Sequence, residues 1–597
     1  MKKIRKYSLA MVAILVVLMS GTITSCKKYA DPPPYFEQDD STSAAVGKRK
    51  VLLIGIDGLP GKEFTALNLP TMTAMLDKSK FSLDNMAETE VTTDASGWKT
   101  LLSGVSYSNH QIKDSTFESD AEPEEGEVGK NYPSLFYFVI RSARPDLQSR
   151  FVSSWPQMLS QLTPEVSYKI ATGNDAATKD SVVAALGAKN DDILVAHFSG
   201  LNTAGKAGAF SASNAGFKAA ALQIDTYIGE IMTALKARPG YNKEEDWLVI
   251  ISGTHGGKNN SYGGASSEET EVPAIYYNEK FHRAQFTRQG AMSAVEIKGN
   301  FKYGYVRAVA DDAPAFNPGT GQFTLEMSIN GTKAQVVYPH FLSKVTGWTD
   351  NKSQRGWTYY TSTSGGWSVR IGGSGGSKQY QDVSDVVFDN TWHKLTMVIY
   401  DTVISGATKR YFKRFIDGRR ATPDASANYD ISSVGDITNS LPIILGYGGD
   451  DGYWGGSDQK DTPLMPFYMS DLTFFNTALT DEEVKSNVCL TDISKHPKYA
   501  NVTAYFPGND GLGGKFINRA NAAQSLNIQG NFSWTPLNKF PCSFVANPPQ
   551  GQITNVTTNT DVATILFYWL KINTSPTWGL QGNNWLSPYE NEFVEVK

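Results

Sequence analysis

Residues 50–58 read Lys50-Val-Leu-Leu-Ile-Gly-Ile-Asp57-Gly58 and contain the first predicted strand of the chain. The apolar residues follow one another without polar alternation, which is typical of a parallel strand buried on both faces of a sheet. The run ends in an Asp-Gly pair. Because the carboxyl ends of such strands border the open crevice of an α/β sheet, we expect Asp57 to lie at a ligand or metal site.

Further blocks of the sequence follow this strand in an order that predicts one α/β domain. In order and spacing they resemble the alkaline phosphatase superfamily, in particular its type I phosphodiesterase and nucleotide pyrophosphatase branch. The resemblance covers residues 47–290 and resumes at residues 548–597, where a last helix is expected. The blocks are Trp98 to Val105, Asn109 to Ile112, Asp192 to Gly205, a helical pattern over 219–235, Trp247 to Gly257, and Ser261 to Gly264.

The resemblance implies a two-zinc hydrolase site, but most of its ligands are missing from this sequence. Two zinc ions need about six protein ligands, and only Asp57 and His255 match the expected carboxylates and imidazoles. Hydroxyl groups are poor donors for zinc. We therefore expect no zinc and no hydrolase chemistry, with Asp57 and His255 as remnants of the metal ligands. The remaining ligand positions fall on Ser199, Thr203, Thr254 and Tyr262.

The position of the nucleophile in that family, counted back from Trp98, falls on Asp94, with Thr93 beside it. Two alternatives stay open from the sequence. Asp57, Asp94 and His255 could hold a single ion, or Asp94 could act as a nucleophile, because carboxylates do form phosphoryl intermediates. His197 is expected to be a structural histidine of its strand. The favoured prediction is a scaffold without catalytic residues.

From about residue 295 the sequence changes to short alternating strands, Gly-rich turns and many aromatic residues, which predicts an antiparallel sandwich. Several motifs in this part resemble the laminin-G-like, concanavalin-A-like jelly-roll family. The fold class predicted for the whole chain is therefore a discontinuous α/β alkaline-phosphatase-like domain with an inserted all-β jelly roll. The motifs are Gln322 to Ser328, the Trp392-His393 strand, the Asp417-Gly418 turn, and Asn476 to Glu483.

The resemblance covers residues 295–497 and implies a binding module, often for glycans and sometimes with calcium as a cofactor. Aromatic rings stack on sugar faces, and carboxylate oxygens suit calcium; a place in the core or in a turn is the alternative for each candidate. Residues 498–547 are expected to be β-rich and to connect back to the α/β domain. The candidate ligand contacts are Trp348, Trp357, Tyr359, Trp367, Asp450, Asp451 and Trp454.

Residues 1–25 have the features of an export signal, with a basic start and an apolar run that is short for a membrane span. Ile23-Thr24-Ser25-Cys26 resembles the bacterial lipoprotein cleavage box, which implies that Cys26 carries the lipid, palmitate included. Residues 26–46 contain three consecutive prolines and polar residues and are predicted to be a tether. The chain resembles a Bacteroidetes-type outer-membrane lipoprotein; the sequence leaves the leaflet open, and we favour the cell surface.

The composition restricts the class of partner. The chain has 597 residues with 55 Lys and Arg against 60 Asp and Glu, which gives a net charge of −5 and no footprint for nucleic acid. Its hydrophobic content of 40% excludes global disorder. Three cysteines cannot form a disulfide framework, although Cys489 and Cys542 could pair.

These features together predict a lipid-anchored envelope protein that captures a glycan, a peptide or another polymer, for nutrient uptake beside an outer-membrane transporter. Two alternatives are kept: an active metal-dependent phosphodiesterase or phosphatase with altered ligands, and a structural accessory subunit.

Overall fold

The structure is a computed structural model, and it describes nine stretches of the chain. None of the helices in them is long and apolar enough to cross a membrane. The described residues are 48–120, 132–142, 144–300, 304–335, 339–345, 355–380, 385–421, 429–446 and 464–590.

Strands and helices are numbered here in chain order over the described residues. The strands β1 to β9 are Lys48–Ile56, Ser79–Met86, Ser149–Ser153, Tyr168–Ala171, Ile193–Phe198, Glu245–Gly253, Glu271–Tyr277, Ala284–Thr287 and Ser293–Val295. The strands β10 to β18 are Ile297–Asn300, Gly304–Ala310, Phe323–Gly331, His340–Val345, Gly356–Thr361, Trp367–Gly373, Gly376–Tyr380, Trp392–Ile404 and Ala407–Ile416. The strands β19 to β27 are Arg419–Arg420, Tyr429–Asp430, Ile443–Leu445, Leu464–Phe475, Val502–Phe506, Lys515–Phe516, Leu526–Gly530, Trp534–Pro536 and Gln552–Thr554. The α-helices α1 to α12 are Phe64–Leu67, Pro70–Met75, Asp94–Ser103, Tyr107–His110, Leu135–Arg141, Asp175–Ala188, Gly200–Ala207, Ala215–Lys236, Ser267–Thr270, Asp481–Ser486, Asp561–Trp569 and Ser587–Glu590.

The first sheet belongs to the α/β part and has the strand order β27-β8-β2-β7-β6-β1-β5-β3-β4. Strand β1 lies parallel to β5, with Ile56 opposite Phe198, and β7 runs antiparallel to both β2 and β6. The backbone N–H of Thr254 donates to the carbonyl of Ile56. The ends of β1, β5 and β6 therefore meet at one edge of the sheet.

Both faces of this sheet are buried, which explains the unbroken apolar run of β1. Val51 and Leu53 pack into the core on one face, and Leu52 and Ile54 pack into the core on the other. Helix α8 covers the second face, and α11 covers the first. Each fully buried apolar side chain of this size contributes about 1.5–3 kcal/mol, so β1 is a main source of stability for the α/β part.

The second sheet is large and antiparallel in every pairing found among the described residues. Its main path is β16-β15-β14-β13-β21-β11-β10-β22-β12-β17-β18-β19. Strands β23 and β25 also join it, through β22 and β11. The α/β sheet and the antiparallel sheet predicted from the sequence are thus both present, and part of residues 498–547 belongs to the antiparallel sheet.

The last part of the chain returns to the α/β sheet. Strand β27 pairs in parallel with β8, and the N–H of Met86 donates to the carbonyl of Thr557. The indole Nε1 of Trp569, at the end of α11, donates to the carbonyl of Lys50 at 3.1 Å. Cys489 and Cys542, whose pairing the sequence left open, form a disulfide.

Replacing Gly55 in β1 by Ala should lower the free energy of unfolding of the α/β part. A Cβ atom there would lie 2.3 Å from the ring of Trp98, and overpacking of a core costs about 1–3 kcal/mol. The matched control is Gly187→Ala in α6, where a Cβ meets nothing within 4 Å and the gain in helix propensity is about 1 kcal/mol. Urea unfolding measures both variants, and equal stability of the two would contradict this packing.

Candidate functional site

The candidate site lies at the sheet edge where β1, β5 and β6 end. Asp57 directly follows β1, His255 follows β6, and Asp94 is the first residue of α3. Asp57 and His255 are fully buried, whereas the Asp94 side chain is 23% exposed. The three residues expected to face a common site from the sequence are therefore near one another.

Asp57 is held by donors from three different elements. Its Oδ1 accepts hydrogen bonds from Trp98 Nε1 at 2.9 Å and from Thr254 Oγ1 at 2.7 Å. Its Oδ2 lies 2.7 Å from Nε2 of His197, and both side chains are buried. The other ring nitrogen of His197 is hydrogen-bonded to Ser153 Oγ at 2.8 Å. Asp57 and His197 thus form a buried pair with few unused hydrogen-bonding positions.

The environment of the His197 imidazole shifts its pKa. Burial alone would lower that pKa, because a charged ring is poorly solvated in the core. The charge of Asp57 and its hydrogen bond outweigh burial, so the pKa of His197 is raised above its usual value. The raised pKa favours the charged form of the His197 ring beside Asp57.

Asp94 is held by a second set of donors. Its Oδ1 accepts from His255 Nε2 at 2.7 Å and from Asn202 Nδ2 at 2.8 Å, and its Oδ2 accepts from the Tyr262 hydroxyl at 2.7 Å. The His255 ring stacks on the Tyr262 ring with 4.4 Å between the centroids. Asp94 is the first residue of α3, and the N-terminus of a helix favours negative charge.

The contacts of His255 show that both of its nitrogens carry hydrogen. Nδ1 lies 2.6 Å from the carbonyl oxygen of Gly256, which can only accept, and Nε2 faces the Asp94 carboxylate. Burial opposes the charge, but the hydrogen bond and the charge of Asp94 raise the pKa of His255. In turn, burial would raise the pKa of Asp94, but the bond and charge of His255 and the bond from Tyr262 lower it.

These residues do not fit the two zinc ions that the resemblance implies. A histidine ligand must be neutral and offer a lone pair, whereas His255 donates from both nitrogens. The oxygens of Asp57 and Asp94 already accept hydrogen bonds from neighbouring side chains.

Several residues of this site were not singled out by the sequence analysis. His197, expected to be a structural histidine, contacts Asp57 directly, and Asn202 and Trp98 donate to the two carboxylates. In the parallel pairing of β1 and β5, His197 lies opposite Gly55, which has no side chain. The sequence patterns alone do not show this pairing. Thr93, the neighbour of the nucleophile position, caps α3 by accepting from Ser96 N–H and donates to the carbonyl of Lys113.

The predicted ligand contacts at Trp357, Tyr359 and Trp367 are wrong. All three rings are fully buried in the core of the antiparallel sheet, and a ring without an exposed face cannot stack on a sugar. Strands β14 and β15 each pair with a neighbouring strand on both sides. Their aromatic side chains therefore pack inside the core. The other candidates, Trp348, Asp450, Asp451 and Trp454, lie outside the described residues, as does Cys26.

Comparisons with known proteins find only distant structural likeness. No protein-family profile and no curated protein matches the chain. Similar solved structures include a 2-O GAG sulfatase, with 13% identity over 40% of this chain and a TM-score of 0.31. The murine ectonucleotide pyrophosphatase/phosphodiesterase 5 has 13% identity over 35% of this chain and a TM-score of 0.27.

An alkaline phosphatase superfamily protein of Vibrio parahaemolyticus is similar at 12% identity over 41% of this chain, with a TM-score of 0.30. The chain covers 65%, 57% and 63% of these three structures, less than two thirds of their length. These structural neighbours are members of the alkaline phosphatase superfamily. The likeness is too distant to assign a family or an activity to this chain.

Replacing Asp57 by Ala should destabilise the protein by about 3–5 kcal/mol, because the buried His197 charge would lose its partner. Asp94→Ala should cost less, since Asp94 is partly exposed and water can reach the site. Asp180→Ala, at an exposed ion pair with Lys179, is the control and should leave stability unchanged. Urea unfolding gives the three values. A cost for Asp57→Ala no larger than that of the control would refute the buried pair.

Proposed function

We propose that the chain is a non-hydrolytic, lipid-anchored binding protein of the cell envelope, built on an alkaline-phosphatase-like α/β domain. The observation that carries this proposal is the pair of contacts His197–Asp57 and His255–Asp94 at the edge where the resemblance would place zinc. In each contact the raised pKa of the histidine favours a positive ring beside the carboxylate. Three neighbouring side chains also donate to each carboxylate, and these donors compete with a metal ion for its oxygens.

The same contacts argue against Asp94 as a nucleophile. A nucleophilic carboxylate must offer an oxygen lone pair to the substrate. Both oxygens of Asp94 accept hydrogen bonds, one from Tyr262 and the other from His255 and Asn202, and the lowered pKa of Asp94 reflects that stabilisation. Attack from this carboxylate would give up part of that stabilisation.

The binding role is assigned to the antiparallel module, which we propose is an inserted laminin-G-like jelly roll. In support, two of its sequence motifs fall on β12 and on the paired β17. The final motif ends in α10, where Thr480 and Glu483 form a reciprocal capping box. We further propose a glycan, peptide or other polymer as ligand, an anchor at Cys26 facing the cell surface, and a place beside an outer-membrane transporter in nutrient uptake.

The purified mature chain should show no hydrolysis of bis(p-nitrophenyl) phosphate or p-nitrophenyl sulfate above the protein-free rate, with or without added zinc. After dialysis against zinc, elemental analysis should find less than one zinc ion per chain. Zinc-dependent turnover that is lost in Asp57→Ala and kept in the Asp180→Ala control would overturn the proposal in favour of a phosphodiesterase with altered ligands.

A further inference from the structure

A cavity of about 530 Å³ lies where the α/β part meets residues 507–522, which lie between β23 and β25 of the antiparallel sheet. One wall comes from the end of β2, from α9 and from Arg288, and the other comes from residues 507–522. The two walls are joined by an ion pair of 2.6 Å between Glu90 and Lys515 and by a hydrogen bond from the Gly514 N–H to Glu90. Asp57, Asp94 and His255 do not line the cavity.

Arg288 supplies a positive charge at the same place. Its backbone N–H donates to Asp84, but its guanidinium makes no hydrogen bond or ion pair to the described residues. Arg288 also lines a neighbouring cavity of about 180 Å³, so space adjoins its side chain on two sides. A guanidinium presents paired donors that match a carboxylate.

The rest of the lining offers acceptors and apolar surface. Glu268 and Glu271 border the cavity, and the Glu271 carboxyl accepts no hydrogen bond from the described residues. Burial raises the pKa of Glu271, and the charge of Arg288 opposes that rise. Met86 and Ile517 add apolar contact surface. Donors, acceptors and an apolar face are therefore present in one space.

We propose that this cavity binds a small, hydroxyl-rich carboxylate, the chemistry of a uronic acid. Arg288 binds the carboxylate, and Glu271 accepts from a hydroxyl. Met86 and Ile517 pack against the C–H face of the sugar. The volume lies within the 300–1,000 Å³ or so that is usual for small-molecule sites. The inference goes beyond the proposed function and holds whether or not the α/β site hydrolyses a substrate.

Calorimetric titration of the purified mature chain with sodium D-glucuronate and sodium D-galacturonate tests this site. At least one of the two should bind, whereas D-glucose and glycine should bind at least about tenfold more weakly. Arg288→Gln should weaken uronate binding by about tenfold or more, with little change in melting temperature because its guanidinium makes no hydrogen bond or ion pair to the described residues. Arg283→Gln, an exposed arginine outside the cavity, is the matched control.

The proposal is overturned if neither uronate binds at about 10 mM, if glucose or glycine binds as well as the uronates do, or if Arg288→Gln and Arg283→Gln bind alike. None of these outcomes depends on the hydrolysis assay, so the two proposals can fail separately.

Discussion

The buried ion pair between His197 and Asp57 is the interaction around which the α/β part is arranged. It joins β5 to the end of β1, and Asp57 also accepts from Trp98 of α3 and from Thr254 after β6. Moving two charges out of water costs several kcal/mol for each ion, and only close partners offset that cost. The four elements must therefore keep their register, because a shift of any one of them would leave a buried charge or donor without its partner.

This arrangement also gives each of two neighbouring carboxylates a histidine partner. Two neighbouring carboxylates repel each other, and a nearby positive charge is one way to balance them. The raised pKa of His197 and of His255 favours such a charge beside each acid. The hydroxyl groups of Thr254 and Tyr262, at positions where the resemblance expects metal ligands, donate to the same carboxylates. Each of these two hydroxyl groups thus donates to a carboxylate that a histidine also contacts.

The sequence predicted where this site lies, but it did not predict which side chains contact one another there. The positions of Asp57, Asp94 and His255 followed from strand ends and motif order. The role of His197 could not be predicted, because β5 is buried on both faces and its pattern does not show which side chains meet. The same limit applies to Trp357, Tyr359 and Trp367. Every residue of β14 and β15 is buried. The pattern of these strands therefore does not show which aromatic rings belong to the core and which could contact a ligand.

The two histidines provide the most direct test of the account, because its central claim is that both are imidazolium ions at neutral pH. Nitrogen chemical shifts of labelled histidine, measured by NMR at pH 7 in the full mature chain, report the protonation of each ring. We expect His197 and His255 to carry hydrogen on both nitrogens. His340, whose pKa burial lowers to about 3, is neutral under the same conditions and serves as the internal reference. Neutral rings at His197 and His255 would contradict the claim, since each would then have a lone pair to offer a metal.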